Sequence, residues 1–183
     1  MEEAYCYRYP RPAVTTDCVV FGFDGEKLNV LLIRRGNEPF KGAWAFPGGF
    51  LNMDETAETG ALRELEEETG MKGIFVEQFH TFSAVERDPR GRTVTIAFYA
   101  LVDPEEYRVE GNDDAAEARW YPVDDMPLLA FDHRQVFEEA CRSLALKIYM
   151  QMRGLEQKDD GLAHFELDRI FEILPQEYRL YLK

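Results

Sequence analysis

One stretch of 24 residues constrains this chain more than any other. Between Gly48 and Met71 stand seven carboxylates (Asp54, Glu55, Glu58, Glu64, Glu66, Glu67, Glu68) against one base, Arg63, which leaves a local charge of −6. Residues 55–69 favour helix, and Gly70 is a natural C-terminal stop. At about 100° per residue, Ala57, Ala61 and Leu65 form an apolar stripe. Glu64 and Glu68 project within that stripe or at its edge, with Glu67 on a neighbouring line, while Thr59, Arg63 and Glu66 point elsewhere. Three carboxylates near a partly buried face repel one another and lose hydration. A divalent cation relieves both costs, and oxygen-only ligands suit a hard ion such as Mg²⁺, or Mn²⁺ in its place. Charge alone favours a blander reading, an ordinary solvated acidic helix.

The rest of the chain sets the frame for that segment. At 183 residues, 45% hydrophobic and 13% aromatic, it suits one packed domain with a small terminal appendage. The formal charge of −14 opposes a general nucleic-acid surface, which needs clustered positive charge. No apolar run approaches the roughly 20 residues that cross a bilayer, and Met1-Glu2-Glu3 begins no signal-peptide pattern. Cys6, Cys18 and Cys141 are odd in number and far apart, as expected of reduced thiols in a cytoplasmic protein.

Alternating and β-branched runs predict strands over 14–23, 28–33, 74–86, 93–102 and 118–123, with Asp24-Gly25 and Asp88-Pro89-Arg90-Gly91 as turns. Apolar residues at helical spacing predict a long helix over 133–152 ending before Gly154, and a short one lies around 165–174. Strands interspersed with a few helices imply a mixed sheet covered by helices.

The order of residues in the acidic segment reverses the bland reading. Gly49, five residues, Glu55, seven residues, Arg63-Glu64-Leu65, one residue, Glu67-Glu68, one residue, Gly70-Met71 matches the Nudix signature at each defined position. Chance produces such a match with a probability on the order of 10⁻⁸ per starting point. Leu31-Leu32-Ile33-Arg34-Arg35 and Trp44-Ala45-Phe46-Pro47-Gly48-Gly49 also resemble the strand and loop that lead into that signature in Nudix hydrolases. The resemblance implies an α/β/α sandwich with a mixed β-sheet and a loop–helix–loop catalytic motif. Its domain would cover residues 1–153, with a core over about 13–153, followed by a partly helical extension over 154–183.

Carried onto this chain, the resemblance makes Glu64 and Glu68 principal metal ligands and Glu67 a further direct or water-mediated one, with the Gly48 carbonyl facing a metal. Arg63 would orient the glutamates, Glu55 would hold loop and helix together, and Gly49 and Gly70 would shape the two ends. Mg²⁺ screens a pyrophosphate and activates water, and a carboxylate accepts the proton. That base is Glu64 in some relatives and comes from another loop in others. Here Asp113, Asp114 and Glu117 are the available acids, with Glu117 preferred.

Substrate choice is read from a second segment, Glu86-Arg87-Asp88-Pro89-Arg90-Gly91-Arg92. A charged hairpin turn accounts for it, yet Arg87, Arg90 and Arg92 in so acidic a protein also suit substrate phosphates or a partner subunit. With Pro10-Arg11-Pro12-Ala13-Val14 and Phe131-Asp132-His133, this segment resembles the ADP-ribose pyrophosphatase branch, which also includes transcriptional regulators of NAD metabolism. The implied reaction gives AMP and ribose 5-phosphate from ADP-ribose, in a homodimer. Trp44, Phe46, Phe98 and Tyr99 are candidates to stack on a base, although each also suits a core. The three histidines make no metal spacing, and His133 fits the first turn of its helix. Two rivals stand beside this reading. One is hydrolysis of another nucleotide, such as an oxidised nucleoside triphosphate or a dinucleoside polyphosphate. The other is an ADP-ribose sensor with an appended DNA-binding module. An intact signature opposes the sensor, as does a tail beyond Gly154 expected to be too short and too acidic for a winged helix. Residues 171–178 nevertheless resemble the segment that precedes such a module.

Overall fold

The computed structural model describes residues 6–111, 115–155, 162, 164–180 and 182. Strand β1 (Ala13–Phe23) lies in the middle of the sheet because both of its faces turn apolar from Cys18 onward. It pairs in parallel with β6 (Thr93–Val102) along ten residues, from Ala13 opposite Thr93 to Gly22 opposite Val102. Its other edge is shared. Residues Phe21 to Phe23 pair with β2 (Leu28–Arg35), and residues Thr15 to Asp17 pair with β4 (Gly48–Phe50), both antiparallel. The sheet therefore forks beside Asp17 and Cys18, and the Cys18 N–H donates to the Pro47 carbonyl in the crotch at 2.9 Å.

The short β3 (Trp44–Ala45) and β7 (Ala115–Pro122) pair with β2, and β5 (Glu77–Phe82) pairs with β6, completing a mixed seven-stranded sheet. Alternation along the strands feeds two cores on opposite faces. Val19, Phe21, Val30, Leu32 and Tyr99 meet α2 (His133–Met152) on one side. Cys18, Val20, Leu31, Phe98 and Ala100 meet Ala61 and Leu65 of α1 (Ala57–Thr69) on the other. This is the α/β/α sandwich that the resemblance implied. The chain beyond Gly154 returns over α2 through α3 (Leu167–Ile173), which buries Ile170, with Leu174 and Tyr178, in the α2-side core.

Four elements differ from the sequence expectation for an identifiable reason. Helix α1 starts at Ala57 rather than Glu55, because the Thr56 side chain caps it by accepting the Thr59 N–H at 3.2 Å, worth about 1 kcal/mol. The strand expected over 74–86 shrinks to β5, since Ile74 and Val76 leave the sheet to pack under α1, and Val85 is exposed in a turn. Strand β7 begins three residues early, at Ala115, and so holds Glu117 in regular pairing opposite Arg34 instead of in a loop. The last helix is confined to α3 because Leu174 turns extended before Pro175. All three cysteines are free, Cys18 and Cys141 being buried and Cys6 exposed. Among the described residues no helix is long and apolar enough to cross a membrane.

Candidate active site

One guanidinium ties the loop after β4 to α1. Arg63 donates through Nε and Nη2 to both oxygens of Glu55, at 3.0 and 2.7 Å, and through Nη2 to the Phe50 carbonyl at 3.1 Å. Its Nη1 donates to Glu64 at 2.8 Å and to Glu67 at 2.9 Å. Glu55 also accepts the Asn52 N–H at 2.7 Å, so one carboxylate closes the loop onto the helix. The two-toothed grip of Arg63 holds the Glu55 carboxyl down at about 2.

Glu68 is the buried member of the acidic set, 6% exposed. It accepts one hydrogen bond, from the Gly48 N–H at 2.9 Å. Burial, with Glu64 and Asp17 nearby, pushes its carboxyl up to about 8. Burial likewise raises Glu64, against the pull of Arg63. The two glycines before the helix sit at close approaches, Gly48 to backbone and Gly49 to a side-chain end. A Cβ on Gly48 would overlap the Thr16 carbonyl, and one on Gly49 would overlap the Glu64 carboxylate. Gly70 ends α1 in the left-handed region at φ 76°.

This donor set fits a hard divalent cation. Glu64 and Glu68 hold oxygen ligands in a site where burial already penalises their charge, and the Gly48 backbone lies against Glu68. Among the described residues no three acidic, histidine or cysteine side chains stand together as a finished coordination group. Arg63 holds Glu64 and Glu67, and binding requires those oxygens to be shared between guanidinium and ion.

Glu64 and Glu68 line a cavity of about 320 Å³. Arg87, Arg90, Phe131 and His133 line it too, so sequence-distant segments are brought together. Arg87 is buried and donates through Nε and Nη2 to Asp132, at 2.8 and 2.7 Å. Arg90 is fixed by Asp88, through Nη2 at 2.7 Å and Nε at 3.0 Å. Its guanidinium lies 4.9 Å from the centre of the Phe50 ring and 5.6 Å from that of Phe131.

The other predicted residues lie elsewhere. Arg92 is spent on the Ser83 and Ala84 carbonyls, at 2.9 and 3.1 Å, where it pins the turn outside the cavity. Glu117 pairs with Arg119 on β7, also outside. Asp113 and Asp114 lie outside the described residues. Trp44 packs edge-on against Tyr121 at 4.9 Å, away from the cavity, and Phe98 and Tyr99 fill the two cores. Phe46 does reach the cavity, stacked on His133 at 5.3 Å.

Sequence reasoning missed Asp17 and Phe50, and used Phe131 and His133 for the branch resemblance without giving either a place in the site. The signals were slight. Asp17 is the one charged residue within the apolar run of β1, and Phe50 directly follows the glycine pair.

A Gly-Gly loop held against a helix of buried glutamates, on one face of a forked mixed sheet, defines a class that the comparisons name. Residues 11–140 match the NUDIX domain family, and the chain belongs to it. It is 38% identical over 135 residues to an ADP-ribose pyrophosphatase of Methanocaldococcus jannaschii, covering 73% of this chain and 76% of that one. It is 32% identical over 170 residues to an ADPR responsive transcriptional repressor of Acinetobacter baylyi, covering 91% of this chain and 68% of the repressor. Among solved structures, the NUDIX domain of Shewanella oneidensis NrtR complexed with ADP ribose superimposes with a TM-score of 0.66 at 37% identity, over 72% of this chain and 88% of that one. By enzyme class the chain is a Nudix pyrophosphohydrolase.

Proposed function

We propose that the chain hydrolyses the pyrophosphate of a nucleoside diphosphate linked to a sugar, with ADP-ribose and water giving AMP and ribose 5-phosphate. The observation that carries this reading is the shared cavity. Glu64 and Glu68 open into one space with Arg87 and Arg90, and the rings of Phe50 and Phe131 lie beside Arg90 in the same wall. Mg²⁺ bound by Glu64, Glu67, Glu68 and the Gly48 carbonyl would neutralise the diphosphate oxygens and activate a water.

The chain's own residues divide the remaining work. Glu64, raised by burial, accepts the water's proton, while Arg63 keeps it aimed and returns a positive charge beside it. Glu55 braces Arg63 from behind. Arg90, held by Asp88, meets phosphate at the mouth, and Phe50 and Phe131 flank the base. Glu117, engaged by Arg119 outside the cavity, is given no part. Assembly as a homodimer belongs to the same proposal.

A second reading is an ADP-ribose sensor, favoured by the likeness to the Acinetobacter repressor, which runs over 91% of this chain and so beyond α2. A panel of nucleoside diphosphate compounds incubated with Mg²⁺ or Mn²⁺ separates the two, with release of phosphate monoesters as the readout. Cleavage of ADP-ribose is expected. Preference for a nucleoside triphosphate would reject the substrate, and no cleavage of any compound would replace the enzyme with the sensor.

A further inference from the structure

On the α2-facing side of β1, below the cavity, lies a buried polar network that the metal chemistry leaves unused. Asp17 is 7% exposed, His133 5%, and Thr95 is fully buried. Asp17 Oδ2 accepts the Thr95 hydroxyl at 2.6 Å. The remaining neighbours stand off, with His133 Nε2 3.6 Å from Oδ1 and Arg87 Nη2 3.8 Å from Oδ2. Both separations exceed a hydrogen bond. Among the described residues, no donor reaches the second oxygen of this carboxylate, Oδ1, within hydrogen-bond distance, and Asp17 lines the cavity.

The groups around that oxygen are fixed from behind. His133 Nδ1 accepts the Phe46 N–H at 3.0 Å, so the proton of the neutral ring sits on Nε2, the nitrogen turned toward Asp17. Arg87 spends Nε and Nη2 on Asp132, and its Nη1 has no hydrogen-bond partner among the described residues. Asp132 sits at the N-terminal cap of α2 yet makes no capping bond, its carboxylate being committed to Arg87. With His133 neutral, the carboxylates of Asp17 and Asp132 offset the guanidiniums of Arg87 and Arg35, so this floor carries no net positive charge to draw a phosphate. What it offers instead is one acceptor, Oδ1, with donors on two neighbouring side chains, His133 Nε2–H and the Arg87 guanidinium. A pair of neighbouring sugar hydroxyls, each both donor and acceptor, matches that set.

We propose that Asp17 is a specificity-determining residue whose Oδ1 accepts a hydrogen bond from a sugar hydroxyl of the substrate, with His133 or Arg87 donating to the adjacent hydroxyl. The inference rests on the nucleoside diphosphate sugar reading above and deepens it. Either ribose of such a substrate presents this chemistry, and the test distinguishes them.

Wild type and Asp17→Asn are compared on ADP-ribose and on two analogues, each with one ribose or the other replaced by its 2,3-dideoxy form. One hydrogen bond to a charged group predicts a wild-type loss of about 10- to 100-fold in kcat/KM, carried by KM, on one analogue. Asp17→Asn should show a loss of that size on ADP-ribose, and should discriminate against that analogue less than wild type does, because the bond to the adjacent hydroxyl is the part that remains. Thr95→Val, which unfastens Asp17 without removing it, should give a smaller loss with the same pattern, and it serves if Asp17→Asn folds poorly. Mg²⁺ affinity by calorimetry should change by much less than kcat/KM, since Asp17 acts on Glu68 only through space. An equal loss on all three compounds, no loss on ADP-ribose, or a fall in Mg²⁺ affinity that accounts for the loss would overturn the role. If wild type cleaves none of the compounds, the hydrolase reading fails separately. Calorimetric binding of the same three compounds to wild type and Asp17→Asn then decides the inference by the same pattern.

Discussion

Replacing Arg87 by methionine isolates the strongest buried electrostatic contact in the cavity wall. The Arg87 side chain is 5% exposed and meets Asp132, itself 11% exposed, through two parallel hydrogen bonds of 2.8 and 2.7 Å. Methionine fills much of the stem's volume but leaves Asp132 without a partner and Asp17 without its nearest cation. Removing one member of such a pair costs about 3–5 kcal/mol, because the surviving charge stays buried and unpaired. For a chain of this size that is a fall of about 10 °C in Tm. The double variant Arg87→Met/Asp132→Asn removes the stranded charge as well and should recover about half of the loss or more. Urea unfolding of wild type, both single variants and the double variant measures the coupling directly. A loss below about 1 kcal/mol in Arg87→Met, the range of an exposed pair, or a double variant no more stable than Arg87→Met, would refute the reasoning.

The other expectations concern the glutamate end. Glu68→Gln should lower turnover by orders of magnitude, checked by steady-state kinetics with Mg²⁺. In protein prepared without divalent cations, the carboxyl of Glu68 rises from 4.5 to about 8 on folding. The folded state then holds a proton that the unfolded chain has lost, so stability falls as pH rises through that window, by at most about 1.4 kcal/mol per pH unit. Denaturation between pH 5 and pH 8 should show that slope in wild type and a flatter one in Glu68→Gln. Mg²⁺ binding at pH 7 should release a proton, seen as a calorimetric heat that varies with the ionisation enthalpy of the buffer. In Gly49→Ala the new methyl overlaps the carboxylate of Glu64, the far end of a flexible side chain. The fold should survive by circular dichroism while kcat falls at least about 10-fold.

Much of the architecture was legible because it rests on periodicity. The strands 93–102 and 28–33 are apolar and β-branched runs bounded by turn residues, the helix 133–152 carries its apolar residues at helical spacing, and each forms there. The boundaries that moved were set by contacts between distant residues. Glu55 belongs to no helix because Arg63 and Asn52 claim its carboxylate, and residues 74–76 leave the sheet to cover α1.

The same division holds at the site. From Gly49 to Gly70 the glutamates, their arginine and the bracketing glycines lie within one loop and one helix. Local geometry therefore fixes their relative positions, and order along the chain was enough to read them as an acidic metal-binding motif. The arginines at 87, 90 and 92 could not be sorted that way. Arg87 turns inward because Asp132 waits 45 residues away at the head of α2, Arg90 is held by Asp88 two residues back, and Arg92 is consumed by the carbonyls of its own turn. Asp17 became visible through the fork of the sheet, which leaves a carboxylate in the middle of a core strand facing a cavity that β4, α1 and α2 help to complete. Sequence alone determined the class of chemistry, because that chemistry is built from neighbours on one helix. Which residues line the other half of the cavity was decided by tertiary structure, because each of those side chains had more than one possible partner and packing chose among them.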